Sequence, residues 1–334
     1  MTFISILGRW AARSALSIAL GVWAGVAVAD YRAHPEAQLF IQELAQEGFD
    51  QRQLESVFAQ AERKQSILDA ISRPAEKVRP WKEYRPLFIS DSRIAQGVDF
   101  WRKHQAELDK AYAEYGVPPE VITAIIGVET FYGTNTGRFR VIDALSTLAF
   151  DYPPRAPFFR QQLREFLMLV REQRLDPLTL KGSYAGAMGW PQFMPGSYRA
   201  YAVDFDQDGL IDIWQNPADA IGSVASYFKH HGWQKDQPVV VRASVSGERF
   251  AEGYTQGIEP TKTLAELQAL GWQPRKAIAE ENVTAFRLEA KEGEQYWLGL
   301  KNFYAITRYN RSFMYAMAVH QLSQEIRHAK GTSQ

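Results

Sequence analysis

Between residues 35 and 72 the apolar side chains of Leu39, Phe40, Leu44, Phe49, Leu54, Val57 and Phe58 recur at mostly helical spacing, broken at Gly48, and predict a helical lead-in. Pro74, Pro80 and Pro86 interrupt the next stretch, which carries Trp81 and Tyr84. Their missing backbone N–H groups exclude one long helix, so an extended strap is expected there. Helical spacing resumes around residue 91 and runs through Phe100, Trp101 and Leu108 to 115, where Gly116 and the Pro118-Pro119 pair mark a stop and a new start. Further helices are expected at about 120–131, 142–150, 157–172, 184–202 and 217–231, so that 92–233 reads as nearly all helix.

The pattern then changes. Residues 238–241 and 283–288 read as short strands, 264–270 as a short helix ending at Gly271, and 296–300 as a further strand. Residues 312–326 return to a helical pattern with Phe313, Met317, Leu322 and Ile326 on one side, and this helix is expected to rejoin the core. The fold class that follows is mainly α. Residues 30–91 form a helical N-terminal region and strap, 92–236 a helical core, 237–296 a small α/β insertion, and 297–334 the return to the core.

Residues 1–29 stand apart. Arg9 and Arg13 precede an apolar stretch from 14 to 29, and Ala27-Val28-Ala29 meets Asp30, where charge resumes, as in a cleavable secretory signal. The apolar run is shorter than the roughly 18 to 20 residues a spanning helix needs. The 334-residue chain is long enough for about two domains and a buried core. Lys plus Arg equals Asp plus Glu at 38 each, so no overall field draws the protein to nucleic acid or an anionic membrane. With no cysteine, disulfides, thiolate zinc sites and thiol nucleophiles are excluded, and the chemistry falls to oxygen and nitrogen groups. An exported, soluble protein without disulfides fits a bacterial periplasm.

The segment 121–133 reads V-I-T-A-I-I-G-V-E-T-F-Y-G. A helix so uniformly apolar is buried on most sides, and it places Glu129 near its C-terminal end. Desolvation by Ile125, Ile126, Val128 and Phe131 disfavours the charged carboxylate, and the negative end of the helix dipole disfavours it further, so both raise its pKa. Glu129 is therefore a candidate general acid near neutral pH; the alternative is a core glutamate satisfied by Arg138 or Arg140. About fifty residues later comes G-S-Y-A-G-A-M-G-W-P-Q-F-M-P at 182–195, where small residues permit close backbone approach and a hydroxyl, an amide and two aromatics offer groups that grip a sugar. A tight Gly/Ala helix contact would explain Gly186, Ala187 and Gly189 but not Gln192.

Together these segments resemble the B-type lytic murein transglycosylases, a family with a lysozyme-like core. The likeness is carried by A-I-I-G-V-E-T at 124–130, F-D-Y-P at 150–153, G-S-Y-A-G-A-M-G at 182–189, Q-F-M-P at 192–195, D-A-I-G-S-V-A at 219–225 and F-Y-A-I-T-R-Y-N at 303–310. It covers essentially the whole chain after residue 29. The resemblance implies a lysozyme-like catalytic core within 92–236 and cleavage of the MurNAc–GlcNAc β-1,4 bond of peptidoglycan with formation of 1,6-anhydro-MurNAc ends. In this family one glutamate performs both proton transfers, and Glu129 matches it; the neighbouring N-acetyl group of the substrate replaces a second carboxylate. The resemblance also assigns Ser183 to a hydroxyl beside the acid, Gln192 to a glycan-contacting amide, and Tyr84, Arg155, Tyr309, Asn310 and Tyr315 to the substrate groove. Pro154 stands where relatives can carry a second basic residue, which leaves Arg155 alone there. Asn310 or Ser312 can equally cap the last helix. The implied partners are peptidoglycan glycan strands, with cell-wall synthesis or remodelling proteins as the class of protein partner. Two other readings remain: a muramidase using Glu129 with Asp143 or Asp151 to activate water, and a non-catalytic peptidoglycan-binding scaffold.

Residues 204–212, D-F-D-Q-D-G-L-I-D, place acids at positions 1, 3, 5 and 9 of an EF-hand loop, with Gly209 at position 6. Position 12 is Gln215, which lacks the bidentate carboxylate. The resemblance supplies a substitute, since relatives close a longer loop with an acid that Asp219 matches, and Leu210 would add its backbone carbonyl. A structural Ca²⁺ held by Asp204, Asp206, Asp208, Leu210 and Asp219 is the expected cofactor, with no organic one; a solvated acidic turn is the alternative. The six histidines lack zinc-ligand spacing, and G-x-S-x-G, P-loop and dinucleotide fingerprints are absent.

Overall fold

The computed structural model describes residues 30–73 and 79–332; the expected secretory signal lies outside them. The lead-in is helical, as its spacing predicts: α1 (Pro35–Gln46), α2 (Gln51–Gln60) and α3 (Gln65–Ile71). Pro35 sits in the first turn of α1, and Asp50 caps α2 by accepting the Gln53 N–H at 2.9 Å. Phe40 and Phe58 meet Phe150 at 5.9 and 6.1 Å between ring centroids, which ties these helices to the core. Leu39 falls on the outer face and is exposed.

Residues 74–78 of the expected strap lie outside the described residues; its later part is instead a helix, α4 (Trp81–Phe88), with Pro86 inside it. Pro80 stands just before its first turn, and Trp81, Tyr84 and Phe88 line one face, with centroid separations of 6.1 and 5.0 Å. That aromatic stripe at helical spacing outweighs the N–H that Pro86 lacks, because the stripe packs on the body of the molecule.

The stretch 91–115 forms two helices, α5 (Asp91–Lys103) and α6 (Gln105–Tyr115), with a kink at His104 and a left-handed Gly116 closing the second. Next come α7 (Pro119–Thr130), a two-residue strand β1 (Phe139–Arg140), α8 (Val141–Asp151), α9 (Ala156–Gln173) and β2 (Lys181–Gly182), which pairs antiparallel with β1. The expected helix over 184–202 shrinks to α10 (Pro195–Tyr201). Residues 183–194 form a folded loop with bridges Gly182 to Met188 and Met188 to Phe193, and positive φ at Gly186, Gly189 and Gln192 is incompatible with helix there. α11 (Pro217–His230) follows, capped by Asn216.

Beyond α11 lies a five-stranded antiparallel sheet of order β4-β6-β7-β3-β5, built from β3 (Val240–Val245), β4 (Lys262–Thr263), β5 (Trp272–Pro274), β6 (Asn282–Ala290) and β7 (Gly293–Gly299). A short helix α12 (Leu264–Ala269), with a full capping box at Thr263 and Glu266, helps cover Trp272, Val241, Ala243 and Leu298 in a separate small core. Phe286 of β6 stacks on Phe303 and Phe313 at 4.9 and 4.8 Å and joins the sheet to the main core. The chain returns through α13 (Lys301–Tyr309), a helix the periodicity did not indicate, and α14 (Phe313–Thr332), which packs on α7 and α5. The structure is thus mainly α. Among the described residues no helix is long and apolar enough to cross a membrane.

Candidate active site

Helix α7 is the centre of the helical core: Ile122, Ala124, Ile125 and Ile126 are fully buried, and α14, α5, α6 and α11 surround it. Glu129 is its penultimate residue. The helix ends with Phe131 and Tyr132 both left-handed, at φ 51° and 59°. Two such residues in succession, neither a glycine, cost on the order of 1 kcal/mol each. Packing offsets that cost: Tyr132 folds its ring onto Gly127, where an added Cβ would stand 2.6 Å from the ring, and its hydroxyl donates to Arg93 O at 2.8 Å. Arg93 in turn donates to Gly127 O at 2.9 Å. The end of α7 is therefore locked on both sides.

Glu129 itself is half-buried and accepts a hydrogen bond on Oε1 from the hydroxyl of Tyr315. Burial pushes its carboxyl up to about 7, against the opposing effect of the Tyr315 hydrogen bond. Among the described residues no ion pair to Glu129 is seen: Arg140 is committed to Asp143 and Glu62, and Arg138 lies over the Phe139 ring. Tyr315 is held in place because Ser312 caps α14 by accepting the Tyr315 N–H at 3.3 Å. Tyr84 and Tyr309 lie within electrostatic range, and burial followed by the charge of Glu129 pushes all three phenols upward, so they stay neutral.

The loop 183–194 is tied to this carboxylate from two directions. Thr130, the neighbour of Glu129, donates to Trp190 O at 3.0 Å, and Tyr309 donates to Pro191 O at 2.6 Å. Ser183 closes the loop, its Oγ accepting the N–H groups of Ala187 and Ala185 at 3.1 and 3.3 Å. Gln192, at φ 52°, directs Nε2 to Thr136 O and Gly189 O at 3.1 and 2.9 Å, which leaves its carbonyl oxygen uncommitted. Gly189, at φ 65°, sits where a Cβ would be 2.4 Å from Ile213 O, so a side chain there is doubly excluded. Of the aromatic residues in the loop, Phe193 is buried, Trp190 is half-buried against Gly133 and Phe100, and Tyr184 is exposed.

The structure thus brings Tyr84, Tyr309 and Tyr315 to Glu129, and places Ser183 and Gln192 in the adjoining loop. Arg155 is exposed, with its guanidinium 4.5 Å from the Phe158 ring, and Asn310 is the exposed C-cap of α13; neither contacts Glu129. Sequence reasoning missed the positioning roles of Thr130, Tyr132 and Arg93. The T-F-Y-G run after Glu129 carries no local mark of two left-handed residues. The two carboxylates offered for a second catalytic role are already engaged. Asp143 is buried against Arg140 at 2.7 Å and accepts Glu62 N–H, while Asp151 accepts from Tyr31 at 2.5 Å and Arg63 at 3.2 Å.

In the acidic loop, ligand oxygens of Asp204, Asp206 and Asp219 lie within 4.8 Å of one another. Three carboxylates gathered so closely repel one another unless a cation neutralises them, and hard oxygen donors suit Ca²⁺, so these residues fit that ion. Asp219 is fully buried at the start of α11 and accepts Phe205 N–H and Asp212 N–H, both at 2.7 Å. Asp208 lies outside the cluster and is exposed, with Oδ1 accepting Leu210 N–H at 2.8 Å. Gln215 is exposed.

The family described as Transglycosylase SLT domain matches residues 32–324. Membrane-bound lytic murein transglycosylase B of Escherichia coli (strain K12) is 45% identical over 308 residues, which cover 89% of this chain and 84% of that one. The crystal structure of soluble lytic transglycosylase SltB1 from Pseudomonas aeruginosa is 61% identical with a TM-score of 0.87, covering 89% of this chain and all of the other. The Escherichia coli lytic transglycosylase Slt35, solved in complex with calcium, is 45% identical with a TM-score of 0.84, covering 90% of this chain and 96% of its own.

Proposed function

The chain belongs to the Transglycosylase SLT domain family and is a lytic transglycosylase of peptidoglycan, and we propose that Glu129 alone carries both proton transfers of its reaction. The supporting observation is a carboxyl held near neutral pKa by burial, with one hydroxyl partner and, among the described residues, no counter-ion and no free second carboxylate beside it. Protonated Glu129 delivers its proton to the glycosidic oxygen as the bond to C1 of the muramyl residue breaks. The substrate's own N-acetyl carbonyl stabilises the charge at C1. Ionised Glu129 then removes the proton of the C6 hydroxyl, whose oxygen bonds to C1 and closes the 1,6-anhydro ring, so the enzyme regains its proton and no water is consumed. Tyr315 orients the carboxylate and stabilises its ionised form between the two steps. Tyr84, Ser183, Gln192, Tyr309, Arg155 and Asn310 are proposed to bind the glycan.

Mass spectrometry of glycan fragments released by the purified protein tests this reading. Anhydro ends support it, while ends heavier by one water identify a muramidase. Full turnover by Glu129→Gln would overturn it. A structural Ca²⁺ held by Asp204, Asp206 and Asp219, with the Leu210 carbonyl adding to the shell and Asp208 outside it, and a periplasmic location after removal of residues 1–29, belong to the same proposal. The ion would join the loop to α11 and takes no part in the proton transfers.

A further inference from the structure

A cavity of about 350 Å³ lies between the C-terminal end of α9, the β1–β2 ladder and the acidic loop that runs on from residue 204. It adjoins the loop 183–194. Thr136 lines it, and the backbone oxygen of Thr136 accepts the Gln192 side chain at 3.1 Å. Lys181, which stands just before Gly182 and Ser183 in the chain, lines it too, and the Lys181 backbone oxygen accepts the Trp214 indole N–H at 3.0 Å. The cavity therefore shares a wall with Ser183 and Gln192, the residues proposed to hold the strand beside Glu129.

The lining suits a neutral ligand with both carbon and hydroxyl surface. Trp214 is half-buried, packed on Tyr198 at 5.7 Å between ring centroids, and its N–H is spent on Lys181, so ring carbon is what it offers a ligand. Leu210, 58% exposed, adds aliphatic surface. The side-chain amides of Gln173 and Gln215 form no hydrogen bond among the described residues, which leaves donors and acceptors on the same wall. Charge there is balanced: Lys181 is the cation and Asp212 the acid, with Asp212 Oδ1 already held by the N–H groups of Trp214 and Gln215 at 2.8 and 2.9 Å. A pyranose matches this wall, because its C–H face packs on ring and leucine carbon while its hydroxyl and N-acetyl groups meet the amides. We infer that the cavity is an outer glycan subsite, holding a sugar of the same strand beyond those at Glu129, Ser183 and Gln192; the inference rests on the transglycosylase reading above. Such a subsite selects for length. A strand that reaches Trp214 is held at two places, whereas a short fragment is held beside Glu129 alone.

The test gives the full-length protein three substrates: long glycan strands that keep their peptide stems, long strands stripped of stems by an amidase, and the shortest stripped fragments that the wild type cleaves. The double variant Gln173→Ala/Gln215→Ala removes amides that bond to nothing in the fold. It is expected to raise KM about tenfold on both kinds of long strand with kcat unchanged, and to leave the short fragments unaffected. Trp214→Ala should raise the same KM at least as much, and Trp214→Phe, which keeps ring carbon, should recover part of that loss. In a Glu129→Gln background, where turnover does not interfere, chains of N-acetylglucosamine should bind more tightly once they are long enough to span both places, and the double variant should abolish that increment. Equal changes on long and short substrates, or none on any, overturn the inference. So does a loss confined to stem-bearing strands, which would make the occupant a peptide. Failure of the wild-type protein to form anhydro ends on any of the three would instead remove the transglycosylase reading.

Discussion

Glu129 and Asp219 are both carboxylates pushed upward chiefly by burial, the first to about 7 and the second to about 6, yet they are held in opposite ways. Asp219 accepts two backbone N–H groups at 2.7 Å, from Phe205 and Asp212, one on each oxygen. Backbone donors cannot swing away, so this carboxylate is a fixed joint between the acidic loop and α11. Among the described residues Glu129 has a single side-chain donor, Tyr315, and one oxygen without a protein partner. A group with few partners can gain and lose a proton without unravelling its surroundings. Burial marks both residues, and the inventory of donors separates the acid from the brace.

That contrast makes its largest prediction for Glu129→Gln, which should lower kcat by about 10²- to 10⁴-fold or more, measured on purified sacculi. The same variant should change stability with a definite sign. In the wild type the unfolded chain ionises Glu129 near 4.5 and the folded chain near 7, so stability falls as pH rises between those values and is level above them. The glutamine variant lacks that slope and should gain on the order of 3 kcal/mol relative to wild type above pH 7, read from denaturant melts across pH. Asp219→Ala should do the reverse. Two buried N–H groups lose their acceptor, and unfolding free energy should drop by about 3 kcal/mol even in chelator. Removing calcium from the wild type should cost somewhat less, about 2 to 3 kcal/mol if the ion is present at roughly 100 times its Kd, and Asp204→Asn should abolish that increment in thermal melts. The smallest effect is expected for Tyr315→Phe. It removes the donor that favours the ionised form, so the alkaline limb of the pH–rate profile should move upward while kcat falls roughly tenfold.

The helix bearing Glu129 was legible because its signal is local: an aliphatic run about twelve residues long, opened by Pro118-Pro119, is too long for an ordinary buried strand, and a lone acid near its end is desolvated wherever the helix packs. In the acidic loop only Asp204 and Asp206 were legible from local alternation; Asp208 alternates with them yet lies outside the cluster, and Asp219 comes from α11, beyond that short segment. α4 was not. Its prolines argued against helix, and the stripe of Trp81, Tyr84 and Phe88 has value only against the surface it packs on. The loop 183–194 was misread because Gly and Ala are compatible with helix, whereas its left-handed turns answer to Leu145 beside Gly186 and Ile213 beside Gly189.

From its residues alone the chain specified a mainly helical body, a small sheet after residue 237, an apolar helix with one acid, and an oxygen-rich loop, because each depends on periodicity or composition within a few turns of chain. Tertiary structure decided who meets Glu129: Tyr315 from the last helix and Tyr309 and Tyr84 from either end of the molecule, with Arg140 drawn away to Asp143 and Glu62. Those partners lie dozens to nearly two hundred residues apart. Whether a buried carboxylate becomes a counter-ion, a brace or an acid depends on which donors packing delivers to it, and no local stretch of chain contains that information.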